Sequence, residues 1–454
     1  MRLPPTLLLF LLAAASLRAE APSIDGTLPE DHLPGLGPLL KAAVELSPST
    51  ILANLTVAQR EGERFIAAAA LWPSVSGSAN YTIQDESVSG VGGATSTERG
   101  LFYNVGVNQP IFQWGAYKNN AAIGSLTLKI AQRQYAEAYR VLAIQIRENY
   151  MYLVGKKIAL RNARYRQKLA DEALATWQAK KEAGSVSAAE VQGYEIAFQQ
   201  AQLFTDRIEE DYNYSMRVFV RLVGIDNLDE ESIPLDVGHP DYSAPVADAI
   251  LAGFVGGGVE STFQSEVYQM TIEQQDLSYS IAKVRLLPKL NASITYNLID
   301  QTNVGGGHVS QEALQQEGYS IAANWSIFDG FATRGSKLEA LAIKRYYERT
   351  RKTYIDSTID LITNMRHQIG LSSRGLKLSE LHHNLIDAEV RRITDDLKLG
   401  YASQATVESS TANLYDAEYD MAVARSDYFS RWTEFISLAG IDPALSNISP
   451  RYVR

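Results

Sequence analysis

The chain has 454 residues, 46% apolar and 21% charged, a balance that supports packed domains and excludes a disordered chain. A formal charge of −10 without any Lys/Arg cluster excludes a nucleic-acid binder. The absence of cysteine excludes disulfides, thiolate metal sites, a cysteine nucleophile and the acylated cysteine of a lipoprotein.

Residues 1–21 read as a secretory signal peptide. Arg2 precedes an apolar run from Leu7 to Ala15, and small residues follow around Ala19 to Ala21. That run is too short to cross a bilayer, and no later stretch of about twenty apolar residues exists, so no transmembrane helix is expected. The exported chain is then either soluble or inserted as a β-barrel.

A first repeat spans residues 22–227. It opens with a helical segment, Leu39 to Ala70, followed by a strand pair within residues 74–110. In the first strand Val75, Gly77, Ala79, Tyr81 and Ile83 alternate with Ser76, Ser78, Asn80, Thr82 and Gln84; in the second, Leu101, Tyr103, Val105 and Val107 form the apolar face. Each segment has about ten residues, the length of a tilted membrane strand. The polar, glycine-rich stretch Ser87 to Glu98 reads as an external loop, and Pro110 as the end of the second strand. No proline occurs between Pro110 and Pro234, and the intervening block is rich in strong helix formers. Leu128, Ala131, Tyr135, Ala138 and Leu142 recur at steps of three and four. A helical hairpin over 116–223 is expected, its tip at 184–187, where Gly184 ends one helix and Ser187 caps the next. Its first arm would be about 100 Å long.

A linker over 228–257, with Pro234, Pro240 and Pro245, leads to a second repeat, residues 258–442. A helix over Ser261 to Leu287 precedes a strand pair within 289–328. Leu290, Ala292, Ile294, Tyr296 and Leu298 form one apolar face, and Tyr319, Ile321, Ala323, Trp325 and Ile327 the other. The stretch between them, Asp300 to Glu317, reads as a second external loop. A helical hairpin over 332–440 follows, its tip at 400–403, and residues 443–454 form a C-terminal tail. The halves align at a constant offset of 216: Ile111-Phe112 repeats as Ile327-Phe328, Gly184 as Gly400, Ser187 as Ser403 and Leu222-Val223-Gly224-Ile225-Asp226 as Leu438-Ala439-Gly440-Ile441-Asp442. One inserted residue would rotate each later side chain by about 100°, so equal length implies that the hairpins match along their whole length.

Four strands cannot close a membrane barrel, and an open edge in lipid leaves backbone groups unpaired. Several chains must share the barrel; three copies would supply twelve strands. Gly256-Gly257-Gly258 lacks the Lys-Ser/Thr of a phosphate loop, and the adjacent His382 and His383 point in different directions on a helix. No catalytic, metal-binding or cofactor-binding residue is expected, and no enzyme.

Gln109-Pro110-Ile111-Phe112 and Trp325-Ser326-Ile327-Phe328-Asp329-Gly330, with the glycine-centred tips and the duplicated plan, resemble the TolC-like outer membrane efflux family over nearly the whole mature chain. The resemblance implies a mainly α chain with membrane β: long helical hairpins form a tunnel, and four strands per chain enter a twelve-stranded barrel of a homotrimer. It places the barrel in outer-membrane lipid and the helices in the periplasm, with an adaptor protein and an inner-membrane transporter as partners. It implies that shorter helices stack end to end beside each long one and that the linker is equatorial. Ala183, Gly184, Ser185, Leu399, Gly400 and Tyr401 would dock the adaptor. The family's aspartate positions in the second tip are Thr406 and Ser409 here, which leaves Glu190, Asp395, Asp396 and Glu408 as candidates for an acidic constriction. The alternative is an exported fibrous coiled-coil protein of structural or adhesive role, which would account for the helices but not for four strands of lipid-crossing length.

Overall fold

The computed structural model describes residues 26–87, 95–241, 243–305 and 308–448. The signal-peptide reading at 1–21, the loop tips 88–94 and 306–307, and the tail residues 449–454 fall outside them. The described elements are, in order, α1 (Pro29–His32), α2 (Leu36–Leu46), α3 (Pro48–Ala69), β1 (Ser74–Ser87), β2 (Thr95–Phe112), α4 (Ala116–Glu182), α5 (Ala188–Val223), α6 (Ala244–Val255), α7 (Phe263–Lys283), β3 (Lys289–Gly305), β4 (His308–Asn324), α8 (Ala332–Lys398) and α9 (Gln404–Leu438), with short 3-10 turns at Glu230–Ser232, Gly258–Ser261 and Pro443–Asn447. No described helix is long and apolar enough to cross a membrane.

α4 and α8 have 67 residues each, about 100 Å at 1.5 Å per residue. Each is flanked by two shorter helices. Along α4, Gly124 lies against Ala67 of α3 near the strands, and Lys156 and Arg164 pair with Asp211 and Glu209 of α5 toward the tip. Along α8, Lys344 pairs with Asp276 of α7, and Ser372 donates to Asp427 of α9. α3 and α5 abut where Gly224 ends α5 in a left-handed conformation (φ 85°). A β-carbon there would lie 1.9 Å from the Leu46 carbonyl oxygen, so only glycine fits the joint. Ser47 Oγ closes it by donating to the Leu222 carbonyl at 2.8 Å. The segment read as one helix from Leu39 to Ala70 is broken here: Ser47 is extended (ψ 133°) ahead of Pro48, which has no N–H to continue α2 and starts α3 instead.

The core is concentrated around the middle of the long helices. One cluster packs Leu36 and Leu40 of α2, Ile146, Tyr150 and Val154 of α4, Phe219 of α5, and Ile233 and Val237 of the linker. A second packs Ile250 and Phe254 of α6 on Ile362 and Ile369 of α8 and on Tyr428, Trp432 and Phe435 of α9. Between them sits a fully buried guanidinium. Arg147 donates from Nη1 and Nη2 to Asp442 at 2.6 and 2.9 Å and from Nε to Glu30 at 2.9 Å. The chain's N-terminal and C-terminal described segments are thereby fastened to the first long helix.

The four strands form one antiparallel sheet in the order β1-β2-β3-β4. They are longer than the sequence suggested, at 14, 18, 17 and 17 residues. Asp300 to Glu317, read as a loop, is mostly strand: Asp300 pairs with Ala313, Thr302 with Gln311 and Val304 with Val309. Alternation ends there because a strand that meets water on both faces needs none, while its ladder continues. β4 stops at Asn324, so Trp325 to Phe328 lie beyond it. Pro110 does not end β2; the register shifts between Pro110 and Phe112, so a bulge absorbs the missing donor.

Candidate functional site

The sheet's register turns four alternating sequences into two continuous faces. On one face Val75, Val107, Ile294 and Tyr319 lie side by side. The next rows are Gly77, Val105, Tyr296 and Glu317, then Ala79, Tyr103, Leu298 and Gln315. On β3 this face is apolar from Leu290 to Leu298, about 27 Å of strand, or roughly 20 Å of depth at the tilt of a membrane strand; on β4 it is apolar from Tyr319 to Ala323, with Glu317 and Gln315 following on the same face. Exposed Trp72, Ile111, Phe112, Ile327 and Phe328 extend it at the strand–helix junctions, where an aromatic girdle belongs. The opposite face carries Ser76, Ser78, Asn104, Thr295, Asn297 and Ser320; Asn104 donates to Asn297 at 2.5 Å, and the Ser293 and Ser320 hydroxyls are 2.7 Å apart. Among the described residues β1 pairs only with β2 and β4 only with β3, leaving two open edges.

Each strand pair turns into its long helix through two successive left-handed residues, Trp114 and Gly115 (φ 55° and 80°) in the first repeat and Gly330 and Phe331 (φ 62° and 68°) in the second. Trp114 is held there by donating Nε1 to the Pro288 carbonyl at 2.7 Å, and Phe331 by edge contact with Phe328 at 5.5 Å. The sequence motif marks this junction without revealing that the aromatic residue and the glycine exchange places between the halves.

The two tips share one backbone construction. Gly184 N donates to Lys181 O and Ser185 N to Lys180 O; Gly400 N donates to Leu397 O and Tyr401 N to Asp396 O. These are the paired bonds of a glycine-terminated helix. Ser187 Oγ then accepts from Glu190 N, and Ser403 Oγ from Thr406 N. Ala183, Gly184, Ser185, Leu399, Gly400 and Tyr401 are all exposed, Tyr401 to 84%.

The four acidic candidates are each engaged locally. Glu190 closes a capping box: its carboxylate accepts from Ser187 N and Oγ, both at 2.8 Å, which holds it below the usual carboxylate range. Asp395 pairs with Lys398 at 2.7 Å, Asp396 with Arg392 at 3.0 Å, and Glu408 accepts from Gln404 at 2.8 Å. No described hydrogen bond or ion pair joins Glu190 to the other three. No group of acidic, histidine or cysteine residues among the described residues could hold a metal ion.

Sequence reasoning missed a set of links between the repeats, because the partners lie some 250 residues apart along the chain. Arg161 of α4 reaches Glu418 of α9 at 2.5 Å and lies 4.3 Å above the Tyr415 ring, Asn162 donates to the Tyr415 carbonyl at 2.7 Å, and Arg166 pairs with Asp416. It also missed three apolar residues on the polar face, Phe102, Ile299 and Leu314, although each breaks the alternation of its strand.

Residues 39–213 match the model of a family described as outer membrane efflux protein. No curated protein matches the sequence. Among solved structures, the fold is similar to the CmeC outer membrane channel of Campylobacter jejuni, with TM-score 0.69 and 13% identity over 96% of this chain and 93% of that one. It is also similar to the MtrE outer membrane channel of Neisseria gonorrhoeae in its open state, with TM-score 0.64 and 12% identity over 89% and 88%. The outer membrane protein VceC of Vibrio cholerae matches with TM-score 0.60 and 14% identity over 90% and 96%.

Proposed function

We propose that the chain, whose residues 39–213 match the outer membrane efflux protein family, is a channel subunit of that kind, that three copies close one twelve-stranded barrel and that the resulting duct carries solutes handed over in the periplasm to the exterior. The observation that carries this reading is the sheet itself. Its apolar belt needs lipid on one side, its polar face needs water on the other, and its two open edges need partners that one chain does not possess. Channels of this family are trimeric; in this reading three such sheets meet edge to edge, β1 of one chain beside β4 of the next.

The helices continue the lumen below the membrane. Exposed apolar residues along α8, among them Leu361, Leu371, Leu378 and Leu385, and along α5, among them Ile196, Leu203 and Phe204, supply seams for neighbouring chains. The tips face the inner membrane, where Leu399 and Tyr401 offer apolar side chains and Ala183, Gly184 and Ser185 a small, flat surface to an adaptor protein; an inner-membrane transporter supplies the energy. Glu190, Asp395, Asp396 and Glu408 surround the tunnel end and give it a preference for cations.

Opening then requires the tips to separate. Cysteines at Ser185 and Tyr401, joined by a bifunctional thiol reagent in cells, should stop export, and reduction of a cleavable linker should restore it. Undiminished export through cross-linked tips would overturn the proposal.

A further inference from the structure

The polar face of the sheet is not uniform. Phe102, Ile299 and Leu314 stand in one row with Asn80, three large apolar side chains in the middle of a mostly polar surface. Beside this row is a concavity of about 310 Å³ lined by Asn80, Thr82, Gln84, Glu98 and Phe102. All five belong to the polar face, since each is an even number of residues from its neighbours on the same strand. The concavity exists because Gly100, between Phe102 and Glu98, has no side chain. The Phe102 ring leans over the bare position, where a β-carbon would lie 2.9 Å from Cε2.

The charge on this face has one sign near the row. Glu312 lies one row toward the outer rim and Glu98 two rows, with Glu86 further out. The described basic side chains of the face, Lys289 and His308, sit at opposite ends of their strands. No described lysine or arginine forms an ion pair with Glu98 or Glu312; Gln301 donates to Glu312 at 3.5 Å. An apolar wall beside unneutralised carboxylates, in a lumen whose walls are low in dielectric, suits one kind of solute. A hydrated metal ion gains nothing from the Phe102 ring, and an anion is repelled. A neutral sugar or peptide forfeits hydrogen bonds to water against the apolar row. An organic cation with an aromatic or aliphatic body keeps its charge near the carboxylates and buries its body on the ring, which also favours cations over its face.

We propose that the cavity between Phe102 and Glu98, repeated three times around the barrel, is a lumenal binding site for lipophilic organic cations on their way out. The inference rests on the shared-barrel reading, which makes this face the lumen. Phe102 supplies the apolar wall, Glu98 and Glu312 the charge, and Ile299 and Leu314 continue the apolar row across the sheet.

The test uses the full-length trimer in outer-membrane vesicles. The chain has no cysteine, so Thr82→Cys places a single thiol on the cavity wall. Its reaction with an uncharged, membrane-impermeant maleimide should slow about tenfold when tetraphenylphosphonium occupies the site. Tetraphenylborate, of similar size and opposite charge, and tetramethylammonium, with the charge but little apolar body, should leave the rate unchanged. Adding Phe102→Ser or Glu98→Gln should remove the protection while heat-resistant trimers persist. Equal rates with and without tetraphenylphosphonium, equal protection by the borate, or protection that survives Phe102→Ser would overturn the proposal. Within the belt, a Ser78→Cys thiol that stays silent while Ala79→Cys reacts would instead place the polar face outside, and the shared-barrel reading would fail with it.

Discussion

The two helical hairpins have the same backbone and different charges at their tips. At the first tip α4 ends in Lys180 and Lys181, and Glu190 caps the start of α5. Cations at a helix C-terminus and an anion at an N-terminus both complement the helix dipole. At the second tip the residues 216 positions later differ: Asp396 stands for Lys180, Leu397 for Lys181, Asp395 for Ala179 and Lys398 for Glu182, and Thr406 replaces the capping carboxylate. The contrast continues at mid-helix. Arg147 locks α4 to Glu30 and Asp442, whereas its counterpart on α8, Thr363, bonds only to the carbonyl of Ile359 in its own helix. Duplication preserved the geometry that lets the arms match and released the chemistry at their ends. If tip separation opens the duct, as proposed, the first hairpin is the fixed post and the second the arm that yields.

The largest expected effect breaks the post. Arg147→Ala leaves two carboxylates beside a cavity with no cation. The loss should be about 3–5 kcal/mol, because removing one partner of a buried pair exposes the desolvation cost of the other. Thr363→Ala should cost far less. The temperature at which trimers dissociate, measured for both variants, checks the contrast; equal shifts would contradict it.

A smaller effect frees the arm. Removing Arg161 loses one partly exposed ion pair and a cation–π contact, together about 1 kcal/mol. Arg161→Ala should therefore raise the open fraction of single channels in planar bilayers several-fold without altering trimer assembly. Arg60→Ala, which breaks an ion pair confined to α3, should leave the open fraction unchanged.

Charge at the tips sharpens the comparison further. Asp395→Asn and Asp396→Asn each relieve an anion at a helix C-terminus, worth about 0.3–1 kcal/mol where the site is exposed, against the loss of an exposed ion pair to Lys398 or Arg392 worth about 0.3–0.5 kcal/mol. Amide hydrogen exchange over 390–400 should slow, while exchange over 175–184 stays as it was. Acid should act on the other tip. Hydrogen bonds from Ser187 lower the Glu190 carboxyl from its ordinary value of 4.5. Its capping contribution is therefore complete above pH 4.5 and is lost as the pH falls through the lowered value. Exchange at residues 187–191 should accelerate in that range and at residues 403–407 should not, since Thr406 does not titrate.

Most of the architecture was legible because it depends on local rules. Proline exclusion marks α4 and α8, alternation marks the strands, and a glycine followed three residues later by serine marks each tip. What stayed hidden depends on contacts between distant positions. Nothing local announces that Gly224 must press on the Leu46 carbonyl, that Arg147 will be buried against Glu30 and Asp442, or that Arg161 will find Glu418. Strand ends above the belt were hidden for another reason: a ladder wet on both sides needs no alternation, so Asp300 to Gly305 looked like a loop. The acidic candidates were legible as residues, but not their attachments, which come from helix-turn neighbours such as Lys398 and Arg392.

The claim on which the account turns is that β1 of one chain meets β4 of another. Within a chain these edges are three strands apart, about 14 Å along the ladder, too far for a disulfide. Ser78→Cys combined in turn with Gln316→Cys, Gly318→Cys or Ser320→Cys should, on mild oxidation in membranes, yield covalently closed trimers for at least one register. Chains that remain monomeric at all three registers, and that purify as monomers in plain buffer, would contradict it.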